Sequence, residues 1–273
     1  MKIENQVAVV TGASGGIGQA ICEKFAEKGA RGIAVVDMSS RCIEVAGSIN
    51  QANGRTVAKG FQGDVTNPEF RESVYSQMQS QFGLARICIP AAGILRDGMA
   101  VKMPKDSSST QAEIYPESLF RQTLEVNLMH PAYWTMQMLA GIAEYRHENG
   151  LGPWRKGQPM EGVAILVGSV SSRGNRGQVS YSAAKSGLNA VCATLNHEGL
   201  FYGVQTKIIH PGFVSTPMTE SMPDHYFEQH IKPLIGLGRM IAPEEIADAV
   251  VALVENPAIS GQLWADASLQ PLI

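Results

Sequence analysis

The sequence predicts an α/β fold in which seven parallel strands form a doubly wound sheet with helices on both faces. Short β-branched runs that are almost continuously apolar alternate with longer helical patterns. This order is typical of parallel strands that are buried on both faces. A glycine-rich turn directly follows the first run, and no repeat or linker divides the 273 residues. A chain of this length is enough for one large domain.

The strands and helices follow one another along the whole chain. We place the strands at residues 7–10, 32–36, 55–58, 86–89, 163–167, 204–209 and 261–265. The helical patterns cover about 16–29, 40–52, 67–82, 116–147, 179–201 and 243–255. Three segments interrupt this order. We expect surface insertions at about 99–115 and 148–162, and either an apolar substrate lid or a plain surface helix at about 215–237.

Composition and charge argue against several classes of function. The net charge of -3 gives no broad positive field for nucleic acid or acidic membranes. Residues 1–6 form no apolar signal segment, and no apolar run approaches the ~20 residues of a membrane span. The cysteines form no Cys-x-x-Cys pair and the histidines no His-Glu-x-x-His spacing. We therefore expect a cytoplasmic protein with no metal site, no nucleic-acid partner and no membrane partner.

The turn after the first strand has the composition of a nucleotide-binding loop. It reads Thr-Gly-Ala-Ser-Gly-Gly-Ile-Gly over residues 11–18 and leads into a helix. Glycines permit a tight turn and a close approach of the backbone to a pyrophosphate, and a helix N-terminus presents free amides and a positive dipole. We predict that the dinucleotide-binding residues of this loop are Gly12, Ser14, Gly16, Ile17 and Gly18.

Acidic residues at two strand ends bear on which dinucleotide is bound. Asp37 ends the second strand, about twenty residues beyond the glycines. Its carboxylate can accept hydrogen bonds from the adenosine ribose hydroxyls and would repel a 2′-phosphate, which favours NAD over NADP. Arg41 would weaken this preference if it turned back to the ribose. Asp64 and Val65 follow the third strand, where adenine would lie, although a helix-capping turn before Pro68 is the alternative.

A tyrosine and a lysine lie one helical turn apart, at Tyr181 and Lys185. A phenol ionises near pH ~10. A neighbouring ammonium favours the phenolate and lowers this pKa, which makes the phenol a usable general acid or base. The same spacing occurs in ordinary amphipathic helices, so its meaning depends on the rest of the chain.

Together these motifs resemble the short-chain dehydrogenase/reductase family. The resemblance rests on Thr11-Gly12-x-x-x-Gly16-x-Gly18, Asn127, Ser169 and Tyr181-x-x-x-Lys185, in that order. It covers essentially the whole chain and implies a single Rossmann domain over residues 1–273. The chain looks most similar to a subgroup that contains 3-oxoacyl-carrier-protein reductases and NAD-dependent secondary alcohol dehydrogenases.

The resemblance implies a role for each catalytic residue. Tyr181 would exchange a proton with the substrate oxygen. Lys185 would lower the tyrosine pKa and bind the nicotinamide ribose. Ser169 would hold the reacting oxygen, and Asn127 would anchor a water that relays protons from Lys185. Further cofactor contacts are implied for Ala92, Gly93, Pro211, Gly212, Val214 and Thr216, of which Val214 and Thr216 would contact the carboxamide.

Three departures from the family pattern stand out. Residues 90–93 read Pro-Ala-Ala-Gly where the family usually has Asn-Asn-Ala-Gly, so the support of the Asn side chains is lost. Ser169 lies twelve residues before Tyr181, where thirteen is commoner, and Gly168 stands at the commoner position. We therefore expect a loop that is one residue shorter. Residues 266–268 read Asp-Ala-Ser in place of Asp-Gly-Gly, which bears more on an interface than on chemistry.

The resemblance also implies an activity. We expect hydride transfer between NAD(H) and a secondary alcohol or ketone. An apolar pocket lined by Ile94, Leu95, Val170, residues 175–179 and the lid favours a cyclic, aromatic or steroid-like substrate. One alternative is a 3-oxoacyl-[acyl-carrier-protein] reductase using NADPH or NADH.

Other residues bear on that alternative. Tyr202 stands where such reductases often have Arg, which weighs against it, whereas Arg173 and Arg176 favour it. A second alternative is a non-catalytic NAD-binding regulatory protein.

By resemblance, the helices near 120–145 and 179–201 would build a homotetramer, a dimer of dimers.

Overall fold

The computed structural model describes residues 1–103, 111–220, 225 and 227–269. Its main sheet has seven strands, all paired in parallel, in the order β3-β2-β1-β4-β7-β8-β9. These strands are β1 (Val7–Thr11), β2 (Gly32–Asp37), β3 (Ala58–Gln62), β4 (Ala85–Pro90), β7 (Gly162–Val167), β8 (Val204–Pro211) and β9 (Gly261–Ala265). The predicted doubly wound, single-domain Rossmann fold is confirmed.

Helices cover both faces of the sheet. They are α1 (Gly16–Glu27), α2 (Arg41–Asn53), α3 (Pro68–Phe82), α4 (Glu117–Leu124), α5 (His130–Glu148), α6 (Val179–Gly199), α7 (Pro217–Glu220) and α8 (Pro243–Glu255). Apolar side chains of α1, α2 and α8 pack on one face of the sheet, and those of α3, α5 and α6 pack on the other. Along β1, Ala8 and Val10 face the first layer while Val7 and Val9 face the second, as strand alternation requires.

Two elements differ from the sequence-based expectation. The third strand runs over Ala58–Gln62 and not over 55–58, because pairing with β2 begins at Ala58 and the side chain of Asn50 accepts hydrogen bonds from the amides of Val57 and Ala58. The helix expected over 116–147 is divided into α4 and α5 by a π-turn at Glu125–Met129.

The two insertions lie at opposite ends of the sheet. Residues 99–115 contain a short antiparallel hairpin of β5 (Val101–Lys102) and β6 (Glu113–Ile114), although 104–110 fall outside the described residues. The Tyr115 hydroxyl lies 3.0 Å from Ser180 Oγ, which anchors this insertion beside α6. Residues 148–162 are held by the buried Arg146, which donates to Gly152 O and to the Glu161 carboxylate.

The segment expected to form a lid is described only in part. It includes α7, a π-turn at Phe227–Ile231 and a single 3-10 turn at Lys232–Leu234. Met222 and Tyr226, two of the large apolar residues that suggest a lid over 215–237, lie outside the described residues. Among all the described residues, no helix is both long enough and apolar enough to cross a bilayer.

Candidate active site

The carboxyl ends of the parallel strands meet at one edge of the sheet, and two adjoining cavities open there. The first has a volume of about 190 Å³ and is lined by residues that include Ser169, Tyr181, Lys185 and Gly212. The second, about 320 Å³, is lined by the glycine turn and Asp37. Their linings share Ile17, Ala91, Gly93 and Met218. Ser169, Tyr181 and Lys185 are thus brought together with the glycine turn and Asp37, at the edge where such folds bind ligands.

The glycine turn has the backbone that only glycines adopt easily. Gly12 and Gly16 have φ of 66° and 53°, in the left-handed region. A Cβ at Gly12 would lie 2.7 Å from Ala92 N, so this position also needs glycine for the close contact between the ends of β1 and β4. The turn leads into the N-terminus of α1, whose free amides suit a phosphate.

Asp37 lies across this turn at the end of β2. Its Oδ2 accepts a hydrogen bond from Ser14 N at 3.1 Å, and its Oδ1 accepts one from Ser39 N at 2.9 Å. Two backbone amides therefore fix a carboxylate at the wall of the second cavity. Arg41 is exposed in the first turn of α2.

Asp64 and Val65 line neither of these cavities. Asp64 Oδ1 accepts hydrogen bonds from the backbone and the hydroxyl of Thr66, and Val65 O accepts one from Trp134 Nε1 at 2.8 Å. The geometry around Asp64 matches the capping-turn alternative, so their role in cofactor binding stays a prediction.

A directed chain of hydrogen bonds behind the glycine turn was missed from the sequence. Ala92 N donates to Thr11 Oγ1 at 3.2 Å, Thr11 Oγ1 lies 2.9 Å from His130 Nε2, and His130 Nδ1 lies 3.0 Å from Val126 O. Every bond is satisfied when His130 carries its proton on Nδ1. Burial lowers the pKa of His130 to about 3, so the ring is neutral as this arrangement needs. A histidine three residues after Asn127, inside an apolar helix, was the available signal.

Lys185 is buried beneath Tyr181 on α6. Its Nζ donates to Val167 O at 2.7 Å and lies 5.6 Å from the centroid of the Tyr181 ring. Burial lowers the Lys185 pKa to about 8.

The pKa of Tyr181 is raised in this structure, and the lowering expected from Lys185 stays a prediction. Burial raises the pKa of Tyr181, a hydrogen bond with Ser169 opposes this rise, and the nearby Asp97 adds to it. The reason is that burial penalises the phenolate, while the Lys185 ammonium is directed at the carbonyl of Val167.

Ser169 is the serine that faces Tyr181. It precedes a 3-10 turn at Val170–Arg173, and its Oγ accepts a hydrogen bond from Ser171 N at 3.1 Å. The Ser171 hydroxyl donates instead to Gln178 Oε1 at 2.8 Å. The loop therefore presents Ser169 to the cavity, and its being one residue shorter than in the family stays a prediction.

Asn127 lies within the π-turn that separates α4 and α5 and is fully buried. Its Oδ1 accepts from Ile94 N and its Nδ2 donates to Ile94 O, both at 2.8 Å. The side chain thus holds the loop after β4 at the cavity, and π-turns are frequent at functional sites. Its role in a proton relay stays a prediction.

The segment after β8 closes the site. Pro211, Gly212 and Val214 line the first cavity, and Thr216 lines the second. Val214 is buried and pairs with Ile241, which fixes the path of this segment between the two cavities. These four predicted cofactor contacts are therefore brought to the same place as the glycine turn.

A comparison of sequences assigns the fold and the site to a family. The model of the short chain dehydrogenase family matches residues 6–226. The chain belongs to the short-chain dehydrogenase family. Its members are oxidoreductases that bind a nicotinamide cofactor, and the glycine turn, the fixed Asp37 carboxylate and the adjoining cavities fit such a group.

Individual relatives agree with this assignment. The chain is 34% identical over 261 residues to the 3-oxoacyl-[acyl-carrier-protein] reductase FabG of Vibrio cholerae, covering 94% of this chain and 93% of the relative. It is 31% identical over 259 residues to FabG of Escherichia coli, with the same coverage. A solved short-chain type dehydrogenase/reductase from Mycobacterium marinum has a TM-score of 0.81 at 22% identity, covering 99% and 98% of the two chains. This last likeness shows the fold.

Proposed function

We propose that this short-chain dehydrogenase interconverts a secondary hydroxyl and a ketone with NAD(H) as its cofactor. The observation that carries the proposal is the convergence of Ser169, Tyr181 and Lys185 on one cavity that adjoins the glycine turn. Hydride transfer coupled to proton transfer needs a proton donor, a group that holds the reacting oxygen and a positioned cofactor.

The side chains divide the work of the proton transfer. Tyr181 gives its phenolic proton to the ketone oxygen or takes one from the alcohol, and the Ser169 hydroxyl holds the same oxygen. The raised pKa of Tyr181 keeps the phenol protonated at neutral pH, which suits the direction of ketone reduction. The bound nicotinamide supplies hydride chemistry, and Lys185 and the glycine turn would hold it.

The choice of NAD rests on Asp37. Its carboxylate is fixed by the amides of Ser14 and Ser39, at the position where the family resemblance places the adenosine ribose. A negative charge there disfavours a 2′-phosphate. The exposed Arg41 is the nearest candidate in sequence for offsetting that charge.

For the substrate we propose a 3-oxoacyl group carried as a thioester, in preference to a free cyclic or steroid-like alcohol. Two relatives that match over 94% of this chain are 3-oxoacyl-[acyl-carrier-protein] reductases. The apolar lining by Leu95, Val170, Phe213 and Met218 suits an acyl chain. Arg173 and Arg176, both exposed on the serine loop, are available to an acidic carrier.

A panel assay tests both parts of this proposal. The purified chain is given a short 3-oxoacyl thioester, or a cyclic or steroid ketone, with NADH or NADPH, and oxidation of the nicotinamide is followed by absorbance. We expect turnover to be fastest with the thioester and NADH. Faster turnover of the free ketones would reject the thioester. Faster turnover with NADPH would reject the assignment to NAD.

A tyrosine variant tests the chemistry itself. Tyr181→Phe removes the phenolic hydroxyl and should reduce kcat by about 10²- to 10⁴-fold, the usual contribution of a positioned general acid. NADH binding, measured by fluorescence, should persist. Tyr202→Phe, a half-buried tyrosine outside the two cavities, is the matched control. Measurable NADH binding with no turnover of any substrate by the wild type would favour a non-catalytic NAD-binding protein instead.

A further inference from the structure

A buried histidine lies against the backbone of Ser169, on the side away from the cavity lining. His210 is the second-last residue of β8 and is fully buried. Its Nδ1 is 3.2 Å from Ser169 N and 3.1 Å from Ser169 O. A neutral imidazole nitrogen accepts from the amide in one tautomer and donates to the carbonyl in the other, so either tautomer ties this ring to Ser169.

The residue before Ser169 provides the space for the ring. A Cβ at Gly168 would collide with the imidazole Nδ1 and would lie 2.7 Å from Cε1. Gly168 N donates to Ile209 O at 2.7 Å, so its backbone cannot move away without losing a bond to β8. Gly168 and His210 therefore fit only as a pair, with the imidazole filling the volume that a side chain at 168 would take.

One face of the His210 ring is held by a stack of planar groups. The His210 and Trp264 rings lie with their centroids 4.1 Å apart and 14° between their planes. The Arg173 guanidinium lies 3.7 Å from the centroid of the same indole ring. Two groups this close to one centroid cannot share a face, so Trp264 lies between them. The stack joins β8, β9 and the turn that follows Ser169.

We infer that His210 is a positioning residue, which fixes the backbone of Ser169 so that its hydroxyl meets Tyr181 and the reacting oxygen. Trp264 and Arg173 in turn fix the plane of the His210 ring. The Ser172 hydroxyl, 3.5 Å from His210 Nδ1, adds a weaker tie to the same turn. This inference rests on the proposed oxidoreductase activity, in which Ser169 holds the substrate oxygen.

The groups around the ring favour its neutral form. Burial lowers the pKa of His210, and the charges of Arg173 and Lys185 act in the same direction. Hydrogen bonding to the Ser169 backbone opposes them. In a protonated ring Nδ1 would carry a hydrogen and could donate to Ser169 O, but it could no longer accept from Ser169 N.

Two variants separate positioning from simple packing. His210→Ala removes the hydrogen bond and the stack, and we expect kcat to fall by roughly 10- to 100-fold, the scale of a misplacement of about 1 Å, with KM for NADH little changed. His210→Asn keeps an acceptor and a donor near Ser169 and should recover most of kcat.

Contrary outcomes are equally defined. Full kcat in His210→Ala, or equal losses in both variants that follow their loss of thermal stability, would overturn the inference. A crystal structure of the alanine or asparagine variant gives a readout that needs no activity. In the alanine variant we expect the Ser169 hydroxyl to move away from Tyr181, and an unmoved Ser169 would overturn the inference. An inactive wild type would count against the proposed function, while this displacement still decides the role of His210.

Discussion

Single residues bear on the proposed cofactor and on the protonation states of this site, and the sequence reveals them unequally. The position of Asp37 could be predicted because it ends an apolar strand. The direction of the shift in the pKa of Tyr181 could not be predicted, because burial depends on packing from distant segments, which the local spacing does not show. The partner of Lys185 Nζ, the carbonyl of Val167, is likewise set by the tertiary fold.

Asp37→Ala should relax the preference for NAD. Removing the carboxylate removes the repulsion of a 2′-phosphate, so kcat/KM should rise for NADPH and fall for NADH, each by roughly tenfold, which is a change of ~1.4 kcal/mol. Steady-state kinetics with both cofactors measures the change. The matched control is Glu44→Ala, since Glu44 is an exposed carboxylate on α2 that lines neither cavity. An equal effect of the two substitutions would show that Asp37 has no special role.

Lys185 should leave a signature in the pH dependence of stability. Its pKa is about 8 in the folded protein and 10.5 in an ordinary environment. Between these values the unfolded chain holds the proton and the folded chain does not, so unfolding becomes less favourable as pH rises. Relative to Lys185→Met, the wild type should gain ~1.4 kcal/mol per pH unit in this window and nothing below it.

Urea unfolding at several pH values and one fixed protein concentration measures this difference. Lys207, whose pKa burial also lowers to about 8, remains in both proteins, so its contribution cancels. A difference between the two proteins that stays flat from pH 8 to 10.5 would contradict the prediction.

Whole elements were more predictable than the contacts between them. The alternation of apolar runs and helical patterns located six of the seven strands and placed the third one three residues early. The π-turn at Glu125–Met129 left no such pattern. The series of hydrogen bonds from Ala92 through Thr11 to His130 also left no local pattern, since these residues lie far apart in the sequence. The structure shows that His130 ties the ends of β1 and β4 to α5.

His130→Ala should weaken this junction between elements. Thr11 Oγ1 and Val126 O would each lose a partner, and leaving one buried polar group unsatisfied costs about 1–3 kcal/mol. We therefore expect a lower free energy of unfolding in urea and a higher Kd for NADH, because the glycine turn begins at Thr11. His147→Ala, at an exposed site on the same helix, is the control and should change neither quantity. Equal stability and affinity in the two variants would refute the role of His130.

At the scale of the whole molecule, an apolar surface on α5 and the turn before it bears on assembly. Met129, Tyr133 and Met136 are 40%, 46% and 36% exposed, and their spacing of four and three residues places them on one face of the helix. Exposed apolar patches of this kind mark interfaces. With the family resemblance, they support the proposal of a homotetramer in which α5 and α6 pack against a second copy. The sequence could suggest this face, but the structure was needed to show which of its side chains stay uncovered in one chain.

A charged substitution on this face should break the assembly. Light scattering after size-exclusion chromatography should give the mass of four chains of 29.3 kDa for the wild type. Met136→Glu places a carboxylate in the proposed interface, where desolvation costs several kcal/mol per unpaired ion, so it should shift the mass to that of a dimer or a monomer. Ile43→Glu, which alters an exposed apolar residue on α2, should leave the wild-type mass unchanged. A monomeric wild type would refute the tetramer, and a tetrameric Met136→Glu variant would move the interface to another face of the molecule.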